Sequence, residues 1–229
     1  MVTQLFNGHY PKAIFFDLDG TLVDSVPDLA FAVDAMLAEL ELQPAGAARV
    51  RDWVGNGARK LVERALAFAL EQPEDALPEE CFTEAYSSFL RHYGHFSGKF
   101  SRLYPGVAQT LVQLQQQGVQ LVIITNKPQQ FTPDVLAGHD IDGFFQLLVC
   151  GDTLAEKKPH PAPLYYAMEK LGVGANECVM VGDSASDIHA AQAAGIASIC
   201  VTYGYNHGHN PRELPASIFI DHFSELLQP

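Results

Sequence analysis

The chain has 229 residues, enough for one large domain or two small ones, and it is 48% hydrophobic against 18% charged, the balance of a globular protein with a substantial core. Its formal net charge of −13 excludes a nucleic-acid backbone as partner, since that needs a basic surface. No apolar run reaches the length of a membrane span and residues 1–11 lack the basic-then-apolar pattern of a signal peptide, so no membrane association and a cytoplasmic location are expected.

The first apolar run, residues 13–18, reads as a strand and leads into Asp17-Leu18-Asp19-Gly20-Thr21. Positions i and i+2 of a strand share a face, so Asp17 and Asp19 point the same way, and Gly20 allows a sharp turn behind them. Two carboxylates held that close repel, and one is pushed towards protonation unless a cation neutralises them. One such group can attack as a nucleophile, its neighbour can shuttle a proton, and Mg²⁺ can bind the pair. An Asp-rich turn bonded to its own backbone is the other use of these residues.

The stretch that follows changes period. Leu29, Val33, Leu37 and Leu40 recur at helical spacing, as do Leu61, Ala65 and Leu66, and then Phe82, Tyr86, Phe89 and Tyr93. Asp24-Ser25 ahead of Pro27 marks a helix start. Helices of this kind form a small bundle, so residues 25–99 are expected to be a helical cap domain inserted into a core made of residues 1–24 and 100–229. The expected linkers are 23–26 and 94–105. Inside the insert, Gly55-Asn56-Gly57 just before a helix exposes backbone N–H groups to an anion, and Arg59 or Lys60 adds charge. A flexible interhelical turn is the alternative. Trp53 reads as packing within the insert.

Beyond the insert, strands at 119–125, 145–150, 178–182, 197–201 and 217–220 alternate with helices near 107–117, 129–137, 163–171 and 185–194. That rhythm predicts an α/β, Rossmann-like parallel sheet covered by helices, with ligands bound past the carboxyl ends of its strands. Three further segments fall at those ends. Thr125-Asn126 offers a hydroxyl, an amide and fresh N–H groups to phosphate oxygens, or simply caps a helix. Of Lys157 and Lys158, stiffened by Pro159 and Pro161, Lys158 is the candidate to neutralise a bound phosphate; a solvated pair is the alternative. Gly182-Asp183-Ser184, with Asp187 four residues after Asp183, offers carboxylates to Mg²⁺ or caps a helix. Cys150, Cys178 and Cys200 lie in or beside apolar runs and, with Cys81, read as reduced thiols. His207 and His209 read as loop residues.

The ordered set of Asp17-Leu18-Asp19-Gly20-Thr21, Thr125-Asn126, Lys158-Pro159 and Gly182-Asp183-Ser184 with Asp187 resembles the four motifs of the haloacid dehalogenase superfamily of phosphohydrolases. The resemblance implies that Asp17 attacks phosphorus and that Asp19 protonates the leaving alkoxide and then activates water. It implies Mg²⁺ held by Asp17, the Asp19 backbone carbonyl and Asp183, with Asp187 orienting Lys158 or a metal-bound water. Thr125, Asn126 and Lys158 would then bind the phosphoryl oxygens. An acid at position 19 suits phosphate esters, whose leaving alkoxide needs a proton; dehalogenating relatives lack it. Trp53-Val54-Gly55-Asn56-Gly57, Glu63-Arg64, Thr125-Asn126-Lys127-Pro128, Lys157 to Pro161 and Thr202-Tyr203-Gly204-Tyr205-Asn206 resemble the bacterial phosphoglycolate phosphatases within that superfamily. The implied partner is a small phosphorylated metabolite, 2-phosphoglycolate, its tail reaching Gly55, Asn56, Gly57 and Arg59. A phosphatase for a nucleotide or sugar phosphate, or a sugar phosphomutase, is the alternative. A monomer or small homo-oligomer is expected.

Overall fold

The computed structural model describes residues 1–228. In chain order, β1 (Ala13–Phe16) leads through the short β2 (Val23–Asp24) into α1 (Val26–Glu39), α2 (Ala47–Trp53), α3 (Ala58–Leu70) and α4 (Glu79–Phe96). The chain returns by β3 (Arg102–Leu103) to α5 (Val107–Gln116), β4 (Gln120–Ile124), α6 (Thr132–Gly138) and β5 (Phe145–Val149). It ends with α7 (Ala162–Leu171), β6 (Cys178–Gly182), α8 (Ala185–Ala194), β7 (Ala197–Val201) and β8 (Ile218–Ile220).

Six strands form one sheet in the order β5-β4-β1-β6-β7-β8, and every pairing is parallel. Apart from Gln120 at the start of β4, the central strands β4, β1 and β6 carry no polar side chain that faces solvent, because helices cover both faces. Alternation then divides each strand between two cores. Ile14, Phe16, Leu121, Ile123, Val179 and Val181 pack with Val107, Leu111 and Leu114 of α5. Phe15, Val122 and Met180 face Leu164 and Ala167 of α7 and Ala190 and Ala191 of α8 on the opposite side. The sheet grows outwards in both directions from β1, so β1, β4 and β6 meet at the point where strand order reverses, the place where open α/β sheets bind ligands.

Helices α1 to α4 surround an apolar cluster of their own, including Val33, Met36, Leu37, Leu66, Phe82 and Phe89. The two chain crossings between this unit and the sheet pair with each other, Val23 opposite Leu103 and Asp24 opposite Arg102. Buried Asp28 fastens the second crossing: its carboxylate accepts from the backbone N–H of Gly98 at 2.8 Å, Phe100 at 2.7 Å and Ser101 at 3.2 Å. Neither this ribbon nor α2 was expected from sequence. Helix α6 also starts later than the expected 129, because Phe131 N–H turns back to the Pro128 carbonyl at 3.2 Å and Gln129 N–H goes to Asp152 at 2.8 Å. All four cysteines are free thiols. Among the described residues, no helix is long and apolar enough to cross a membrane.

Candidate active site

Asp17, Thr125 and Asp183 each stand one residue past the end of their strand, on the neighbouring strands β1, β4 and β6. Shared register brings them to one rim. There, Asp17, Asp183 and Asp187 place carboxylate oxygens within 4.8 Å of one another, and all three are buried. Hard oxygen donors in this number suit Mg²⁺. Burial pushes Asp17 up, to about 7; Lys158 opposes this, while Asp187 and Asp19 add to it. Burial also raises Asp183 well above its usual range, reinforced by Asp187 and Asp17. Carboxyls that resist ionising for want of positive charge are the signature of a site that fits a cation.

The surroundings of Asp183 allow little movement. It accepts from the Thr21 hydroxyl at 3.0 Å and from Tyr205 N–H at 2.6 Å. A Cβ added at Gly204 would overlap both Asp183 and the Gly20 carbonyl oxygen, so the approach of these segments requires glycine. Asp187 divides its oxygens between two tasks. One accepts from Ser184 N–H and hydroxyl at 3.1 and 2.9 Å, closing the first turn of α8. The other accepts from Lys158 Nζ at 2.6 Å.

Lys158 is 2% exposed, and its ammonium also donates to the Ile124 carbonyl at 2.5 Å and lies 2.9 Å from Asp17 Oδ1. Burial disfavours its charge, but Asp17 and Asp187 outweigh burial and hold it above the usual lysine range. This lysine is therefore a fixed charge beside the candidate nucleophile, not one of a solvated pair. Its neighbour Lys157 reaches the other way, donating to the Asn56 carbonyl at 2.9 Å.

Between this rim and the helical unit lies a cavity with about 440 Å³ of empty space, its open mouth included. Asp17, Asp19, Thr125 and Asn126 line it from the strand ends, and Leu29, Leu61 and Phe89 from helices α1, α3 and α4. Gly55 and Gly57 line it too, at the N-terminus of α3, which has no side-chain cap. Asn126 Nδ2 pins this loop to the sheet domain, donating to the Gly55 carbonyl at 3.0 Å and to the Lys158 carbonyl at 2.9 Å.

Two expected site residues turn away from the cavity, and a third, Asp19, lines it without joining the acidic trio. The Asn56 side chain turns from the cavity, donating to Ser186 at 3.3 Å and accepting from Arg64 at 2.8 Å. Arg59 is on the outer face, its side chain 56% exposed, paired with Glu63 at 3.0 Å and stacked over Phe82 at 4.2 Å. The Asp19 carboxylate is outside the acidic trio, with its oxygens 2.9 and 3.1 Å from Lys127 Nζ. The sequence assigns Lys127 no role, although it lies within Thr125-Asn126-Lys127-Pro128. A lysine beside a proline in a polar loop looks exposed; nothing in the sequence shows that Tyr93 of α4 folds over it and takes a hydrogen bond from its ammonium. Arg64 was likewise missed; it clasps the 53–56 loop through the Trp53 carbonyl at 2.6 Å as well as Asn56.

A family model described as haloacid dehalogenase-like hydrolase matches residues 14–201. The chain belongs to that family. It is 47% identical to the phosphoglycolate phosphatase of Pseudomonas savastanoi pv. phaseolicola over 98% of this chain and 81% of that one. It is also 47% identical to the phosphoglycolate phosphatase of Colwellia psychrerythraea, over 94% of this chain and 95% of that one. The crystal structure of a predicted phosphoglycolate phosphatase from Haemophilus somnus superposes with a TM-score of 0.90 at 41% identity, covering 94% of this chain and 96% of that one. The protein is thus an enzyme of the haloacid dehalogenase-like hydrolases, with their parallel α/β fold.

Proposed function

We propose that the protein is a Mg²⁺-dependent phosphatase that hydrolyses 2-phosphoglycolate to glycolate and phosphate through an aspartyl-phosphate at Asp17. The observation that carries this reading is the buried meeting of Asp17, Asp183 and Asp187 with Lys158 at the ends of β1 and β6. The substrate rests on similarity to phosphoglycolate phosphatases over 98% and 94% of this chain and 81% and 95% of theirs.

Asp17, Asp183 and the Asp19 backbone carbonyl would hold Mg²⁺, which supplies positive charge to the phosphoryl oxygens and to the crowded carboxylates. Asp17 attacks phosphorus in line, and the bond from phosphorus to the glycolate oxygen breaks. Asp19 gives its proton to the departing alkoxide. It then takes a proton from the water that cleaves phospho-Asp17, which returns Asp17 as a carboxylate and releases phosphate. Lys158, aimed by Asp187 and the Ile124 carbonyl, balances charge on the phosphoryl group. The Thr125 hydroxyl and the Asn126 backbone N–H hold its remaining oxygens, since the Asn126 side-chain amide is committed to the Gly55 and Lys158 carbonyls. Residues 25–99 act as a cap on the core of 1–24 and 100–229, and the bonds that Asn126 and Lys157 donate to the 55–56 loop, with the one that Asn56 donates to Ser186, keep water out. The four free cysteines suit the reducing cytoplasm.

The test is phosphate release from a panel of phosphate monoesters that includes 2-phosphoglycolate, without any bisphosphate activator. Highest kcat/KM for 2-phosphoglycolate, lost in EDTA and restored by Mg²⁺, is expected. Chelator-insensitive turnover would overturn the metal assignment, and preference for a nucleotide or hexose phosphate the substrate.

A further inference from the structure

Among the described residues that line the cavity, Lys127 is the one cation. It is 4% exposed, and it joins Asp19, just past β1, to Tyr93 of α4, whose ring stacks on that of Phe89. An ammonium has three N–H donors. Here they meet both oxygens of Asp19 and the Tyr93 hydroxyl, with the Tyr93 ring centroid 4.8 Å away. Burial disfavours the charge, but Asp19 and Tyr93 more than offset it and hold Lys127 above the usual lysine range. Two of its donors therefore serve a single carboxylate, and one can be given to another anion while Asp19 keeps the second.

We propose that Lys127 receives the carboxylate of the substrate and so selects short phosphate monoesters that carry one. This deepens the phosphatase reading and rests on it. A carboxylate entering a cavity walled by Leu29, Leu61 and Phe89 loses its water and must find a counter-charge. The α3 N-terminus across the cavity offers only a partial positive charge; Lys127 offers a whole one. Lys127 is also two residues from Thr125 on the same loop. The groups for the two ends of the substrate are close together, which suits a two-carbon skeleton. Tyr93 belongs to α4, so the helical unit itself fixes the lysine that reads the substrate.

The experiment compares kcat/KM for 2-phosphoglycolate and ethyl phosphate, which have the same carbon count and differ in the carboxylate, in wild type, Lys127→Met and Tyr93→Phe. Both activities fall in Lys127→Met, since Asp19 loses its partner. The ratio between them is expected to fall roughly 10- to 100-fold, mainly through KM for 2-phosphoglycolate, the worth of one charge-assisted hydrogen bond. Tyr93→Phe shifts the ratio the same way by less, and it decides alone if Lys127→Met does not fold. An unchanged ratio in the variants overturns the assignment and leaves Lys127 serving Asp19 only. If wild type prefers 3-phosphoglycerate, the substrate reading fails while Lys127 is tested on that compound against glycerol 3-phosphate. A wild type with no preference for carboxylates overturns both.

Discussion

Replacing Asp17 with asparagine is expected to abolish turnover and, in metal-free protein at pH 8, to increase stability. Asp17 is buried, and its carboxyl is pushed from 3.8 to about 7 in the folded chain. Because the folded state binds this proton more tightly than the unfolded state, the contribution to stability is complete below pH 3.8 and is lost as pH rises through about 7. The interval from 3.8 to about 7, at 1.36 kcal/mol per pH unit, corresponds to on the order of 4 kcal/mol. Asparagine has no charge to bury and escapes that cost. With about 2.1 cal/mol/K of unfolding entropy per residue, 229 residues convert 4 kcal/mol into roughly 8 °C of Tm.

The assay is thermal unfolding of both proteins in EDTA from pH 5 to 8, repeated with excess Mg²⁺. Asp17→Asn should unfold up to roughly 8 °C above wild type at pH 8, with the gap closing towards pH 5. Mg²⁺ should raise wild type more than the variant, because it stabilises whichever folded form binds it. His139 and His207, both lowered by burial, favour the folded state as pH rises, the opposite sign; they are present in both proteins and cancel in the difference. Parallel Tm curves across this range, or a variant less stable than wild type at pH 8 in EDTA, would refute the reasoning.

Lys158→Met leaves Asp17 and Asp187 buried without their cation, a loss of about 3–5 kcal/mol in urea unfolding at pH 8 with activity down at least ~10²-fold. Equal stability to wild type would show that the carboxylates are not charged there. Gly204→Ala forces a methyl against Asp183 and the Gly20 carbonyl, so Mg²⁺ titration should show weakened binding. Gly195→Ala, at φ +70° with nothing within 4 Å of its Cβ, should cost only about 1 kcal/mol and leave Mg²⁺ binding alone. Asp28→Ala strips the backbone N–H groups of Gly98, Phe100 and Ser101 of their acceptor; a loss of about 2–4 kcal/mol and faster proteolytic cleavage near residue 98 are expected.

What was legible in the sequence is what strand periodicity and chain order determine. The strands expected at 13–18, 119–125 and 178–182 each bring an apolar run up to a polar residue, and parallel register alone then carries Asp17, Thr125 and Asp183 to one rim. No knowledge of side-chain contacts is needed for that step. Lys158 was legible for a related reason: the prolines beside it leave its loop few conformations. The cap face of the cavity obeys no such rule. Arg59 and Arg64 sit on the same helix five residues apart, and the sequence favours Arg59, which is nearer the glycine loop. Five residues at 3.6 per turn is a rotation of about 140°. That rotation puts Arg59 outside against Glu63 and Phe82 and turns Arg64 inwards to the 53–56 loop. Which way α3 is rotated depends on Leu61, Val62, Ala65 and Leu66 packing against α1 and α4, a contact between segments distant in sequence. The same holds for Lys127, whose burial comes from Tyr93, 34 residues before it and on the other structural unit. The geometry of the rim is written locally along the chain, whereas the contact of Lys127 with Tyr93 arises where two units meet. Substitutions at Lys127 and Tyr93 therefore probe the part of the enzyme that its motifs leave unspecified.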